Sequence, residues 1–185
     1  MTDLLLNDIA NVVAAWAPDR ENYRSSLTTM DPRNVIGRAF HGIAVLAGFE
    51  LGTRRLGRSL DSSDERDETS RFSDNTLADF TNDLRGLRNV YFGSSGGAPS
   101  GIGIDTLVAA ADAGLNQRVI AAMTAAEGAI AALDSPYDRI LASPAKSPAR
   151  TKAEAAVTAL QELAELLRTA GNKLGLLVLL VPGEG

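Results

Sequence analysis

The sequence predicts an all-α chain, an up-and-down helical bundle of four long helices plus a short N-terminal helix. Three observations carry this. Apolar residues recur at spacings of three and four in nearly every long segment, the mark of an amphipathic helix, and period-two alternation over strand length is hard to find. Proline, glycine and Asp/Ser clusters divide the chain into stretches of bundle-helix length. The composition, 45% hydrophobic and 22% charged with only 5% aromatic, supplies ample Ala, Leu and Val for burial. With 185 residues, one hydrophobic core suffices, so residues 1–185 are expected to form a single domain.

Taken in order, the first helix sets Leu6, Ile9, Val13 and Trp16 on one face and ends at Ala17-Pro18-Asp19. A second begins near Asp31-Pro32, with Asp as cap and Pro in the first turn, and runs toward Leu60 with Ile36, Phe40, Ile43 and Ala47 inward. Gly37, Gly42, Gly48, Gly52 and Gly57 interrupt it, each costing roughly 1 kcal/mol against Ala, which implies close helix packing or a local break. Residues 61–70 are polar and acidic, a connecting loop. Ser73 or Asp74 then caps a helix striped by Leu77, Phe80, Leu84, Leu87 and Tyr91. Residues 93–103 read as loop. From Asp105 a single helical stretch places Leu107, Ala111, Leu115, Val119, Met123, Ala126, Ile130 and Leu133 inward, with an irregularity at Gly114, and closes at Ser135-Pro136. After Pro148 the last helix carries a seam of Ala156, Leu160, Leu163, Leu167, Ala170, Leu174 and Leu177.

Several function classes are disfavoured at once. A net charge of −5, with basic residues gathered only at Arg54, Arg55 and Arg58, argues against nucleic acid or anionic lipid as partner. Zero cysteines exclude disulfides, zinc-thiolate sites and cysteine nucleophiles. The start, MTDLLLNDIANVV, lacks a basic region ahead of its apolar run, so it does not read as a secretory signal. The longest apolar run, Leu176 to Val181, falls far short of the roughly 20 residues that cross a bilayer, and no membrane span is expected.

Two motifs flank one predicted helix. Phe72, Ser73, Asp74, Asn75 and Thr76 read F-S-D-N-T, and Gly86, Leu87, Asn89, Val90, Tyr91 and Gly93 follow the pattern G-[IL]-x-N-V-Y-x-G. This pairing resembles the second half of the imelysin family, particularly its iron-regulated protein A branch. Trp16 before Asn22-Tyr23, Gly48-Phe49-Glu50-Leu51, Ser135-Pro136-Tyr137-Asp138 and the Leu174-Gly175 ending are similar to further family landmarks, so the resemblance covers nearly the whole chain. It implies that the chain is the C-terminal half of a two-bundle architecture. The family's G-x-H-x-x-E motif, suspected as a metal or catalytic site, belongs to the first half. The family's acidic segment often reads E-D-E-H-S-C-F, where this chain has Thr69 and Arg71 in place of the histidine and cysteine.

Each candidate residue also has a plainer role. His41, the only histidine, has no ligating residue three or four positions away: Gly37 and Arg38 precede it, Ala44 and Val45 follow. It reads as structural or partner-facing. Asp64, Glu65, Asp67 and Glu68 lack the glycine-centred order of a calcium loop and read as a solvated segment. The glycine-rich 93–103 stretch follows a helix and has no Lys-Ser/Thr, so it is not a phosphate cradle. Ser73, Asp74, Asn75, Asp79, Asn89 and Tyr91 form the ligand or interface set: capping and packing account for part of it, and a polar surface toward a second half for the rest. No catalytic set surrounds Ser73, and no metal set is expected.

The resemblance implies a noncatalytic binding or scaffolding module of a bacterial envelope protein linked to iron uptake, periplasmic or envelope-associated. Its expected partners are an N-terminal imelysin half, or a homologous helical bundle, and other iron-uptake envelope proteins. No cofactor is expected in this chain, whereas iron or another divalent metal is implied for the full-length family member. The alternative is part of an imelysin-type metallopeptidase whose metal motif lies in the other half, with no peptidase activity expected of this chain alone.

Overall fold

A computed structural model describes residues 2–95 and 98–181. It is an all-α bundle, and the chain separates into two compact units, residues 1–38 and 39–185.

In the first unit, α1 (Thr2–Trp16) packs against α2 (Tyr23–Thr29). The join has a clear local cause. Asn22 caps α2 in a capping box with Ser25, and its side-chain amide donates to the Ala14 and Ala17 carbonyls at 2.9 and 2.8 Å, satisfying the exposed end of α1. Trp16 meets Tyr23 edge to face at 5.3 Å. The predicted apolar face of α1 is present but lies in solvent: Leu6, Ile9, Val13 and Trp16 are all exposed.

The second unit is built around α9 (Pro148–Lys173), which packs along α7 (Ala113–Ala131) and along a π-helical segment, Leu46–Gly57. That segment continues α3 (Pro32–Val45) and leads into α4 (Arg58–Ser62). Asp31 starts the run, accepting from the Arg33 amide at 2.8 Å. The glycines of this stretch explain the wider winding. A π turn brings each residue over the carbonyl five positions back. A Cβ on Gly57 would sit 2.9 Å from the Gly52 carbonyl oxygen, and one on Gly52 would sit 3.2 Å from that of Ala47. Gly48 also lets α9 close in, since a Cβ there would meet the Ala164 Cβ at 2.7 Å. The expectation of close packing is met at Gly48, and the helix is rewound here without being broken. By length and composition, the 31-residue run Pro32–Ser62 would pass as a membrane span. Phe40, Ala44, Ala47, Leu51 and Leu56 of this run are buried within the bundle.

α5 (Thr76–Phe92) lies against α6 (Ile104–Ala111), α7 and the π segment, burying Phe80, Leu84, Leu87 and Tyr91 as predicted, with Leu77 half-buried. Three other expectations are corrected. The stretch from Asp105 to Leu133 is not one helix: Asp112 is extended and caps α7 through the Leu115 amide at 2.9 Å. The break resets the helical phase, so Val108 is buried while Leu107 and Ala111 are exposed. At the other end, Gly175 adopts φ 72 and stops α9 at Lys173. Leu177 consequently leaves the seam, 81% exposed, and Val178 folds back onto Gly171 in its place. The 93–103 loop also holds a short antiparallel pair, β1 (Ser94–Ser95) and β2 (Ala98–Pro99). Its base is pinched where the Gly93 and Gly103 backbones meet, too close for a Cβ on either. α8 (Tyr137–Ala142) follows a cis Ser135-Pro136 bond and packs on α9.

Candidate functional site

The F-S-D-N-T motif forms the entry to α5, and the acidic segment folds back onto it. A 3-10 turn at Glu65–Asp67 is capped by Asp64, whose carboxylate accepts from the Arg66 amide at 2.9 Å and from its guanidinium. The Arg66 hydrogen bonds hold the Asp64 carboxyl down at about 2. Glu68 is not solvated as expected. It is buried and accepts from the Thr76 hydroxyl at 2.7 Å, while Thr76 Oγ1 accepts from the Ser70 amide at 3.1 Å. Ser70 Oγ donates to Asp79 Oδ2, and Asn75 Nδ2 donates to Asp79 Oδ1 at 3.1 Å. Asp79, in the first turn of α5, thus fastens the incoming loop with both oxygens, where a negative charge also suits the helix dipole.

Ser73 and Asp74 do not cap α5. The cap position is Asn75, without a side-chain cap bond; Asp74 takes a left-handed φ of 51, and Ser73 Oγ donates to the Ser70 carbonyl. The turn that places the Ser70 and Thr76 hydroxyls on carboxylates carries the helix start past both residues. Beside them Phe72 projects outward, 91% exposed, with the Arg71 guanidinium 4.3 Å from its ring centroid.

The second motif lies at the far end of the 17-residue helix, roughly 25 Å away at 1.5 Å per residue. There Asn89 Oδ1 accepts from Ser94 Oγ at 3.0 Å, and the buried Tyr91 hydroxyl donates to Asn116 Oδ1 at 2.7 Å. Burial pushes the Tyr91 phenol well up. His41 is half-buried on α3, on a different element from either cluster. The structure therefore gathers Ser73, Asp74, Asn75 and Asp79 at one end of α5, Asn89 and Tyr91 at the other, and His41 at neither. No group of three or more His, Cys, Asp or Glu side chains able to hold a metal ion occurs among the described residues.

Sequence reasoning missed a buried polar cluster behind α4. Ser59 Oγ and the Tyr137 hydroxyl share a hydrogen bond of 2.8 Å, both residues buried, and Phe80 meets the Tyr137 ring edge to face. Burial raises the Tyr137 phenol to about 12, and Glu68 and Arg150 act on it with opposite signs. Arg150 itself is only 9% exposed; its Nη2 donates to the Leu60 carbonyl at 2.7 Å and to Ser63 Oγ at 2.9 Å. Tyr137 stood within a matched motif, but Ser59 and Arg150 carried no signal in the sequence, because their burial follows from where α4 and α9 meet.

Fold and site together define a helical-bundle protein in which a polar motif opens a core helix beside an exposed aromatic ring. The family model described as Peptidase_M75: Imelysin matches residues 1–167, and the chain belongs to the imelysin family. Among solved structures it is similar to an imelysin peptidase from Bacteroides ovatus, with a TM-score of 0.74 and 22% identity over 90% of this chain and 49% of that one. That likeness shows the fold, and the chain spans about half the length of the solved protein. No curated protein matches.

Proposed function

We propose that this chain is a noncatalytic binding or scaffolding module of an imelysin-type envelope protein that serves iron uptake by docking a second helical bundle. Phe72 carries the reading. The Phe72 ring is 91% exposed with the Arg71 guanidinium over it, and it stands at the head of α5 beside Ser73, Asp74 and Asn75, in the stretch that resembles the family pattern, where an aromatic side chain can anchor a partner. The partner is the N-terminal imelysin half or a homologous bundle, with other iron-uptake envelope proteins beyond it. Any iron or other divalent metal is held in the assembled protein.

The test is association of this chain with a separately produced N-terminal imelysin half, followed by calorimetry. Phe72→Ala should weaken binding by about 1–3 kcal/mol, as expected for an aromatic anchor, without moving the melting temperature. Absence of association between wild-type halves at high micromolar concentration would sink the proposal.

The similar protein from Bacteroides ovatus is an imelysin peptidase, which supports a second reading in which this chain completes a peptidase whose metal motif lies in the other half. Peptide hydrolysis by the assembled pair, absent from each half alone, would favour it.

A further inference from the structure

Arg150 is a buried cation without a counterion. Among the described residues no carboxylate comes within ion-pair distance of it, and its two bonds go to neutral acceptors, the Leu60 carbonyl and Ser63 Oγ. Its Nη1 is buried with no hydrogen-bond partner, alone in this among buried side-chain atoms of the described residues. A buried donor left without a partner is costly, and a water or a ligand is what would satisfy it.

Arg150 lines a cleft of about 770 Å³ between the π segment, α4 and α9, whose wall is opened by Gly52 and Gly57. The cleft borders a second groove of about 660 Å³ across Thr53, Thr158 and Gln161, and that groove is walled by Phe49, Ala164, Leu180 and Val181. Acidic side chains also face these spaces: Asp61 and Glu154 in the cleft, Glu162 and Glu165 in the groove. They disfavour a polyanion.

We propose that this cleft binds a small monocarboxylate carried on an apolar stem, with the Arg150 guanidinium as anchor and the Phe49 groove as seat for the stem. Nη2 is fixed by Leu60 and Ser63, so the guanidinium plane is already oriented and Nη1 remains as the donor for a ligand oxygen. Nη1 is shielded from bulk water, so a ligand must displace part of the cleft wall to engage it.

The experiment is calorimetric titration of the full chain with three probes: N-acetyl-leucine, its uncharged amide, and inorganic phosphate. The acid should bind saturably, with the amide and phosphate each weaker by about tenfold or more. Arg150→Gln should weaken the acid to the level of the amide. Thr158→Trp, at an exposed position bordering both spaces, should abolish binding while leaving the melting temperature in place, and it decides the matter if Arg150→Gln does not fold. Equal binding of acid and amide, phosphate binding as tightly as the acid, undiminished binding by either folded variant, or no saturable binding at millimolar concentration would overturn the proposal. The last result would assign Nη1 to a buried water.

Discussion

Gly48→Ala tests the claim that glycine sets the spacing between the π segment and α9. A Cβ at position 48 would lie 2.7 Å from the Ala164 Cβ, closer than two carbons can approach without displacing a helix. Overpacking of a filled core costs about 1–3 kcal/mol. Replacing Gly by Ala within a helix returns roughly 0.5–1 kcal/mol, leaving a net loss of up to about 2.5 kcal/mol. For a chain of this length that lowers the melting temperature by up to about 10 °C. Ala164→Gly alone loses a buried methyl, about 0.8 kcal/mol, and a similar amount in helix propensity. The two changes together remove the clash, so the double variant should be more stable than the sum of the singles predicts by about 1–3 kcal/mol. Urea unfolding followed by circular dichroism measures all four corners of the cycle. A double variant additive within about 0.5 kcal/mol would refute the packing argument.

Other consequences are open to measurement. Asp79→Ala leaves the Ser70 hydroxyl and Asn75 amide without their acceptor and should cost about 0.5–1.5 kcal/mol in chemical denaturation; an unchanged midpoint would show that these two bonds add nothing to stability. Tyr137 keeps its proton to about 12 in the folded chain, whereas an unfolded tyrosine ionises near 10. The folded state therefore binds more protons in that window, and stability should fall by up to about 2 kcal/mol as pH rises from 10 to 12, a slope that Tyr137→Phe reduces. The Asp64 carboxyl is held down at about 2, so its contribution is present above the ordinary carboxylate range and is lost as pH falls through that value. Carbon-13 titration placing its midpoint near 4 would contradict the Arg66 contact.

Much of the candidate site was legible because its signals are local. F-S-D-N-T and the N-V-Y pattern fall at the two ends of α5, and the Phe80-Leu84-Leu87-Tyr91 stripe faces the core, since a spacing of three and four determines which side chains share a helix face. The cap position expected at Ser73 or Asp74 fell at Asn75, without a side-chain cap bond, in a turn where Glu68 takes the Thr76 hydroxyl and Asp79 the Ser70 hydroxyl. Asp112 hid its break because an extended cap inside an apolar period leaves the composition unchanged. Arg150, four-fifths of the way along the chain, reads as one more soluble arginine until α4 brings the Leu60 carbonyl to it.

The sequence by itself determined the all-α class, the faces of α5, α7 and α9, and the family, because periodicity and motif spacing are properties of neighbouring residues. The tertiary structure alone decided that five-residue spacing of Ala47, Gly52 and Gly57 becomes a π segment, that Glu68, Ser59 and Arg150 lie buried, and that Leu177 yields its place to Val178. Each of those outcomes depends on atoms more than a helical turn apart in sequence, and their free energies are set by close packing and desolvation between elements, which no local pattern records.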